Sequence, residues 1–125
     1  INAGVKDLFI LDCIGELNCI YSHADIAFVG GSLVKKGGHN PIEPAIFSIP
    51  VLFGPHMDDF SEIGDQLLVV KGSILVANQK ELTENLFALL KDAQLREKTG
   101  NAAQACIFEQ QGVIRRHIEL IKEML

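Results

Sequence analysis

The residues most suited to chemistry in this sequence lie in one short stretch, where two glycine pairs precede a histidine, an asparagine and an acid. Gly30-Gly31 and Gly37-Gly38 let the backbone turn sharply and approach a ligand, because glycine has no Cβ. Asn40 can cap a helix whose first residue is Pro41, where the missing N–H costs nothing. The start of such a helix favours an anion, typically a phosphate. The stretch therefore predicts an anion site.

Glu43 falls in the first turn of the same predicted helix and adds a carboxylate beside the anion site. A carboxylate is a poor neighbour for a phosphate, but its oxygens accept hydrogen bonds well from ribose hydroxyls. The alternative is a capped helix with an exposed acid, because a glycine-rich loop alone is weak evidence for a phosphate site.

Three basic side chains in the loop leave several interpretations open. His39 could be a general acid, a donor to phosphate or a locally bonded loop histidine, and no Ser/His/Asp set surrounds it to favour catalysis. Lys35 and Lys36 either add positive charge to the anion site or form a solvated loop tip.

Two other polar groups have simpler explanations. His56, Asp58 and Asp59 suggest a metal site, but their spacing matches no strong ligand motif, and Asp59 is better placed to begin a helix. The basic run 115–117 is typical of a solvated helix face, with contact to anionic lipid headgroups as the alternative. We therefore predict no metal and no cofactor.

The elements that must position these residues follow from the apolar pattern. Short apolar runs predict four strands, and the segments between them have helical spacing. The predicted strands are 8–11, 26–29, 51–53 and 73–76, and the predicted helices are 15–24, 41–47 and 59–70. This alternation indicates an α/β fold with a Rossmann-like parallel sheet covered by helices on both faces, with a strand order of 3-2-1-4 or a close variant.

Beyond residue 78 the pattern is helical throughout. Apolar residues at helical spacing form one apolar stripe in the first of these helices, and Gly100 and Gly112 are expected to separate two further helices. The stripe residues are Leu82, Leu86, Leu89 and Leu90, and the last helix carries Val113, Ile114, Ile118, Ile121 and Leu125.

In a parallel α/β sheet, ligands bind at the edge where the strands end. Three predicted loops follow strands there, at 12–16, 30–40 and 54–58. We expect these loops to lie together and to form the binding site.

Composition narrows the class of protein. At 125 residues the chain is long enough for one domain with its own core. A formal charge of −5 disfavours nucleic-acid binding, and no apolar run approaches the length of a membrane span. Cys13, Cys19 and Cys106 match neither a disulfide framework nor a metal motif, which fits a reducing cytosol, and packing is expected for Cys13 and Cys106. The start at Ile1 suggests a piece of something longer.

The motifs resemble a known family over nearly the whole chain. The runs are Gly30-Gly31-Ser32-Leu33-Val34, Gly37-Gly38-His39-Asn40-Pro41-Ile42-Glu43-Pro44 and Gly54-Pro55-His56-Met57. They look like the C-terminal half of the 3-deoxy-D-manno-octulosonic acid (Kdo) transferases, GT-B glycosyltransferases that add Kdo to lipid A precursors.

The resemblance implies a site for the nucleotide sugar CMP-Kdo, with Glu43 accepting hydrogen bonds from the ribose and Asn40 beside the phosphate. The matching Gly-Glu-Leu stretch of the family lies at the nucleotide, although Asp12-Cys13 stands here where the family usually has Asp-Thr. Glu62 either contacts the donor sugar or is a surface acid. The implied site comprises Ile14, Gly15, Glu16, Gly30, Gly31, Ser32, Gly38, His39, Asn40, Pro41, Ile42 and Glu43.

The resemblance also implies what lies outside the chain. Residues 1–125 would be the donor-binding domain, with the catalytic base and the lipid A acceptor groove on an absent N-terminal domain. The segment alone is expected to be soluble and inactive, and the complete enzyme to work at the cytoplasmic face of the bacterial inner membrane with peripheral membrane contact. A UDP-sugar GT-B transferase and a non-enzymatic phosphate-binding module of flavodoxin-like fold remain as alternatives.

Overall fold

The computed structural model describes residues 8, 10, 11 and 16–125, and within these ranges strands alternate with helices up to residue 75. Two long helices then complete the chain. In order, the elements are α1 Leu17–Tyr21, β1 Ala27–Phe28, α2 Ile42–Ile46, β2 Val51–Phe53, a 3-10 turn Asp58–Phe60, α3 Ser61–Val69, β3 Ser73–Leu75, α4 Gln79–Lys91 and α5 Ala93–Met124.

The strands form a parallel sheet in the order β1-β2-β3. Val51 of the central strand lies opposite Ala27 on one side and Ser73 on the other. The α/β fold with a parallel sheet is therefore confirmed. Three of the four predicted strands are present, while the predicted strand 8–11 includes Phe9, which lies outside the described residues.

The expected strand order was wrong. In the order 3-2-1-4, where the strand predicted at 8–11 is the first, the fourth predicted strand lies beside the first. In the structure the fourth predicted strand is β3, and it pairs with β2. Strands joined by a short helical connection are usually neighbours. Only the 3-10 turn and α3 separate β2 from β3, which favours this pairing.

The sheet is covered on both faces, as predicted. Side chains of successive strand residues point to opposite faces, so Val51 and Phe53 pack into one cluster and Leu52 into another. The first cluster joins the sheet to α2, α3 and α5 through residues that include Ala45, Leu67, Ala103, Cys106 and Ile107. The second joins it to α4 through Val76, Leu82, Leu86 and Leu89. Burial of Cys106 was also predicted, whereas Cys13 lies outside the described residues.

One prediction for the C-terminal helices was wrong. Gly100 and Gly112 do not separate helices, because α5 is continuous through both. Gly100 is buried, and a Cβ on it would overlap the backbone of Ser48, so this glycine permits close packing rather than ending the helix. Leu90 is 58% exposed, because it lies about 100° around α4 from Leu89.

Several helix ends also differ from the prediction. Of the helix expected over 15–24, the structure describes α1, which begins at Leu17 after the N-cap Glu16 and ends at Tyr21, while Gly15 lies outside the described ranges. The helix expected from Asp59 is preceded by a 3-10 turn, and α3 begins at Ser61. In α2 the first residue is Ile42 rather than Pro41.

Candidate functional site

The glycine-rich loop between β1 and α2 folds back on itself. The N–H of His39 donates to the carbonyl of Gly30 at 3.0 Å, and the N–H of Gly38 donates to that of Gly31 at 3.2 Å. Gly31 and Gly38 have φ values of 75° and 66°, a region that favours glycine. The loop therefore brings His39 and Asn40 back beside the end of β1.

Ser32 fixes the loop to the neighbouring strand. Its fully buried hydroxyl donates to the carbonyl of Val29 at 2.6 Å and accepts from the N–H of Gly54 at 2.8 Å. The carbonyl of Ser32 also accepts from the N–H of His56 at 2.9 Å. Ser32 thus joins the loop after β1 to the loop after β2.

Replacing Ser32 with alanine is expected to lower the free energy of unfolding by about 1–3 kcal/mol, because the buried N–H of Gly54 would lose its acceptor. Ser73→Ala is the matched control. Ser73 is also buried, but its hydroxyl has no hydrogen-bond partner among the described residues, so its removal should leave stability unchanged or raise it. Urea denaturation measures both, and equal losses would contradict the role of Ser32.

The start of α2 is capped as the sequence predicted, but it offers a ligand little. The side-chain oxygen of Asn40 accepts from the N–H of Ile42 at 2.9 Å. Pro41 and the other proline of this turn have no N–H, and the N–H of Ile42 is already bonded to the cap. Glu43 therefore carries the one N–H of the first turn that is left for a ligand. Because α2 has only five residues, its dipole is also weak, which makes the predicted anion site less favourable.

A cavity of about 380 Å³ lies between α1, the end of β1 and the start of α2. We call it the α1–α2 cavity. One wall is apolar and the other polar, and half-buried Glu43 lies on the polar one. The apolar wall comprises Leu17, Tyr21, Phe28 and Val29, and the polar wall Gly30, His39, Asn40 and Glu43.

One titratable group of this cavity has a shifted pKa. Burial raises the pKa of the Tyr21 phenol above its ordinary value of 10.0, and the negative charge of Glu43 raises it further. The phenol is therefore neutral at physiological pH and can donate a hydrogen bond from its hydroxyl.

The structure brings together four of the twelve predicted site residues, Gly30, His39, Asn40 and Glu43. Four others, Gly31, Ser32, Gly38 and Pro41, support the loop or the start of α2. Ile42 lines a depression of about 430 Å³ that also contains Glu62, and Glu16 lines a third one beside Cys19 and His23. Ile14 and Gly15 lie outside the described residues.

Sequence reasoning missed the apolar wall. Leu17 and Tyr21 are four residues apart, so they share one face of α1. Together with Phe28 at the end of β1 they line the cavity that also contains Glu43. The spacing was visible in the sequence, but nothing in it showed that this helix face meets the loop at 30–40.

Neither a metal cluster nor a membrane span is found in the described ranges. No three His, Cys, Asp or Glu side chains there are grouped so as to hold a metal ion, and His56, Asp58 and Asp59 form no such group. None of the described helices combines the length and the apolar character that crossing a membrane requires. Arg115, Arg116 and His117 are exposed on α5, as predicted.

The fold and this site define a class of protein. The structure is similar to the crystal structure of the C-terminal CMP-Kdo binding domain of WaaA from Acinetobacter baumannii, with a TM-score of 0.72 and 28% identity. The match covers 78% of this chain and 51% of that chain. The described fold is therefore that of the C-terminal half of a GT-B glycosyltransferase.

The similar sequences all carry one name, that of the Kdo transferases. The chain is 44% identical over 115 residues to the Kdo transferase of Haemophilus influenzae, covering 91% of this chain and 27% of that protein. It is 36% identical over 123 residues to that of Rickettsia prowazekii, covering 96% and 26%. No family model matches the chain. The resemblance to the Kdo transferases is thus confirmed, and the chain spans about a quarter of the length of these relatives.

Proposed function

We propose that this chain is the donor-binding part of a Kdo transferase and that the α1–α2 cavity holds the CMP moiety of CMP-Kdo. The observation that carries the proposal is the convergence of Gly30, His39, Asn40 and Glu43 on one cavity of about 380 Å³. This volume lies within the range of ordinary small-molecule sites. The relatives named Kdo transferase and the similar CMP-Kdo binding domain support it.

The two walls suit the two sides of a nucleoside. The apolar wall, with Leu17 and Phe28, covers the face of the cytosine or of the ribose ring. On the polar wall, Glu43 accepts hydrogen bonds from the ribose hydroxyls. The side-chain nitrogen of Asn40 is a donor for the phosphate, since the oxygen of the same amide already caps α2.

In the complete enzyme this part would hold the donor and stabilise the departing CMP, because Kdo transfer requires the negative charge that develops on the leaving phosphate to be bound. The base that activates the acceptor hydroxyl and the groove for the lipid A precursor would belong to an N-terminal domain. The lipid acceptor would bring that enzyme to the cytoplasmic face of the inner membrane. Residues 1–125 alone are expected to bind donor without transferring Kdo.

The first test is a titration of the isotopically labelled 125-residue chain with CMP, followed by NMR. We expect shifts in the backbone amides of Gly30 and of His39, Asn40 and Glu43 at millimolar CMP, because these residues line the cavity. Binding should be weak, since the chain corresponds to 51% of the similar solved domain and the remaining contacts are missing.

Amides in the second half of α5 serve as an internal control, because this exposed segment lies outside the cavity. Shifts there of the same size would indicate unspecific binding. A parallel titration with UDP separates the two transferase classes, because a UDP-sugar enzyme should respond more strongly to UDP. Absence of shifts at the four cavity residues with CMP would overturn the proposal.

A further inference from the structure

Tyr21 lines the α1–α2 cavity as one of the four residues of its apolar wall. It belongs to the last turn of α1, and its half-buried ring packs against Phe47, at the end of α2, with 6.5 Å between the ring centroids and 34° between the planes. Glu43 lies on α2 and lines the same cavity. The packing of Tyr21 against Phe47 therefore holds the phenol in the cavity that Glu43 also lines.

The two side chains have opposite hydrogen-bonding capacities. The ionised carboxylate of Glu43 can only accept, whereas a neutral phenol can donate. Both side chains line the same cavity, and the negative charge of Glu43 raises the pKa of the phenol beyond the effect of burial. A ligand group that contacts both can therefore donate a hydrogen bond to the carboxylate and accept one from the phenol.

A ribose hydroxyl is such a group, since it has one O–H donor and two lone pairs. We propose that Tyr21 is a specificity-determining residue of the α1–α2 cavity, donating its phenolic O–H to a ribose hydroxyl whose own proton is accepted by Glu43. The pair would thereby select ribonucleotides over deoxyribonucleotides. This inference rests on the proposed function, because it requires a nucleotide in the cavity.

The selectivity follows from what a deoxynucleotide leaves behind. Without the bridging hydroxyl, the carboxylate and the phenol lose their common hydrogen-bond partner in a partly closed cavity. A site built to hydrogen-bond a hydroxyl discriminates against ligands that lack it. The apolar wall, with Leu17 and Phe28, cannot supply this discrimination, because it would contact apolar faces that both ligands have.

Tyr21→Phe tests the hydroxyl without removing the ring that packs against Phe47. We measure the affinities of CMP, 2′-deoxy-CMP and 3′-deoxy-CMP for the 125-residue chain and for the variant by NMR titration. Wild type should bind CMP more tightly than at least one deoxy analogue. Loss of one neutral hydrogen bond should weaken CMP binding to Tyr21→Phe about three- to tenfold and leave that analogue almost unaffected.

The ratio of the affinities for CMP and for the deoxy analogue separates a role of the phenol in ligand recognition from a purely structural role. A merely structural role for the phenol would weaken all three ligands equally, and this result would overturn the inference, as would unchanged CMP affinity. An unchanged melting temperature of Tyr21→Phe is the accompanying control. If CMP fails to bind the wild-type chain, the proposed function itself is overturned and the inference with it. If CMP binds but the ratio is unchanged in the variant, only the inference fails.

Discussion

Glu43→Gln is expected to weaken CMP binding by about 10- to 100-fold. The substitution keeps the shape of the side chain but removes the charge that assists its hydrogen bonds to the ribose hydroxyls, a total loss of about 1.5–3 kcal/mol. Glu43 is half-buried and lines the α1–α2 cavity, so solvent does not fully screen the lost charge. Titration of the 125-residue chain with CMP measures the change, and in a longer protein that carries this segment kcat/KM for the donor should fall equally.

Glu62→Gln is the matched control for this prediction. Glu62 is likewise an acid in the first turn of a helix, but it lines the neighbouring depression and is exposed. Its substitution should leave CMP affinity unchanged. If Glu43→Gln also left the affinity unchanged, while the fold remained intact, the ribose role would be contradicted and Glu43 would have only a structural role at the start of α2.

The second large effect concerns stability and the docking of α5. A Cβ at Gly100 would overlap the carbonyl of Ser48 and lie 3.2 Å from the N–H nitrogen of Ile49. Backbone atoms cannot move aside as a flexible side chain can, so Gly100→Ala should lower the free energy of unfolding by about 1–3 kcal/mol. Because the overlap with backbone is severe, the cost should lie in the upper part of this range and outweigh the gain of roughly 1 kcal/mol that alanine brings to a helix interior, so the net change should be destabilising.

Gly112→Ala provides the comparison within the same helix, because a Cβ there would meet no atom within 4 Å. The helix propensity of alanine then acts alone, and this variant should be more stable by about 0.5–1 kcal/mol. Chemical denaturation of both variants gives the two signs. A stabilising Gly100→Ala would contradict the close packing of α5 on the turn after α2.

That packing also reaches the candidate site. The hydroxyl of Ser48 donates to the side-chain oxygen of Asn101 at 2.7 Å, and the side-chain nitrogen of Gln104 donates to the carbonyl of Ile46 at 2.8 Å. Both contacts hold α5 against the end of α2, the helix that carries Glu43. Displacement of α5 in Gly100→Ala should therefore weaken CMP binding as well as stability.

Local sequence signals were sufficient for the loop and its cap. Glycines allow the positive φ values of Gly31 and Gly38, and the asparagine before Pro41 accepts from Ile42, since such preferences depend on a residue and its immediate neighbours. The strand 51–53 was likewise predictable, because a short apolar run before Gly-Pro is a local pattern.

Helix breaks and strand neighbours were not predictable in the same way. A glycine in a helical pattern can end the helix or allow close approach, and only the position of Ser48 against Gly100 distinguishes these outcomes. Similarly, the alternation of strands and helices does not state which strands pair. The pairing of β2 with β3 depends on the length and packing of the connection through α3.

The sequence by itself determined the α/β class, the glycine-rich loop, the capped start of α2 and the resemblance to the Kdo transferases, because these are carried by residues close together along the chain. Only the tertiary structure decided which residues share a cavity. It placed Tyr21 and Leu17 of α1 in one cavity with Glu43, left Ile42 and Glu16 on other depressions, and fixed Ser32 to Gly54. Contacts between distant segments depend on how whole elements pack against one another, and a single sequence does not encode that packing in any local pattern.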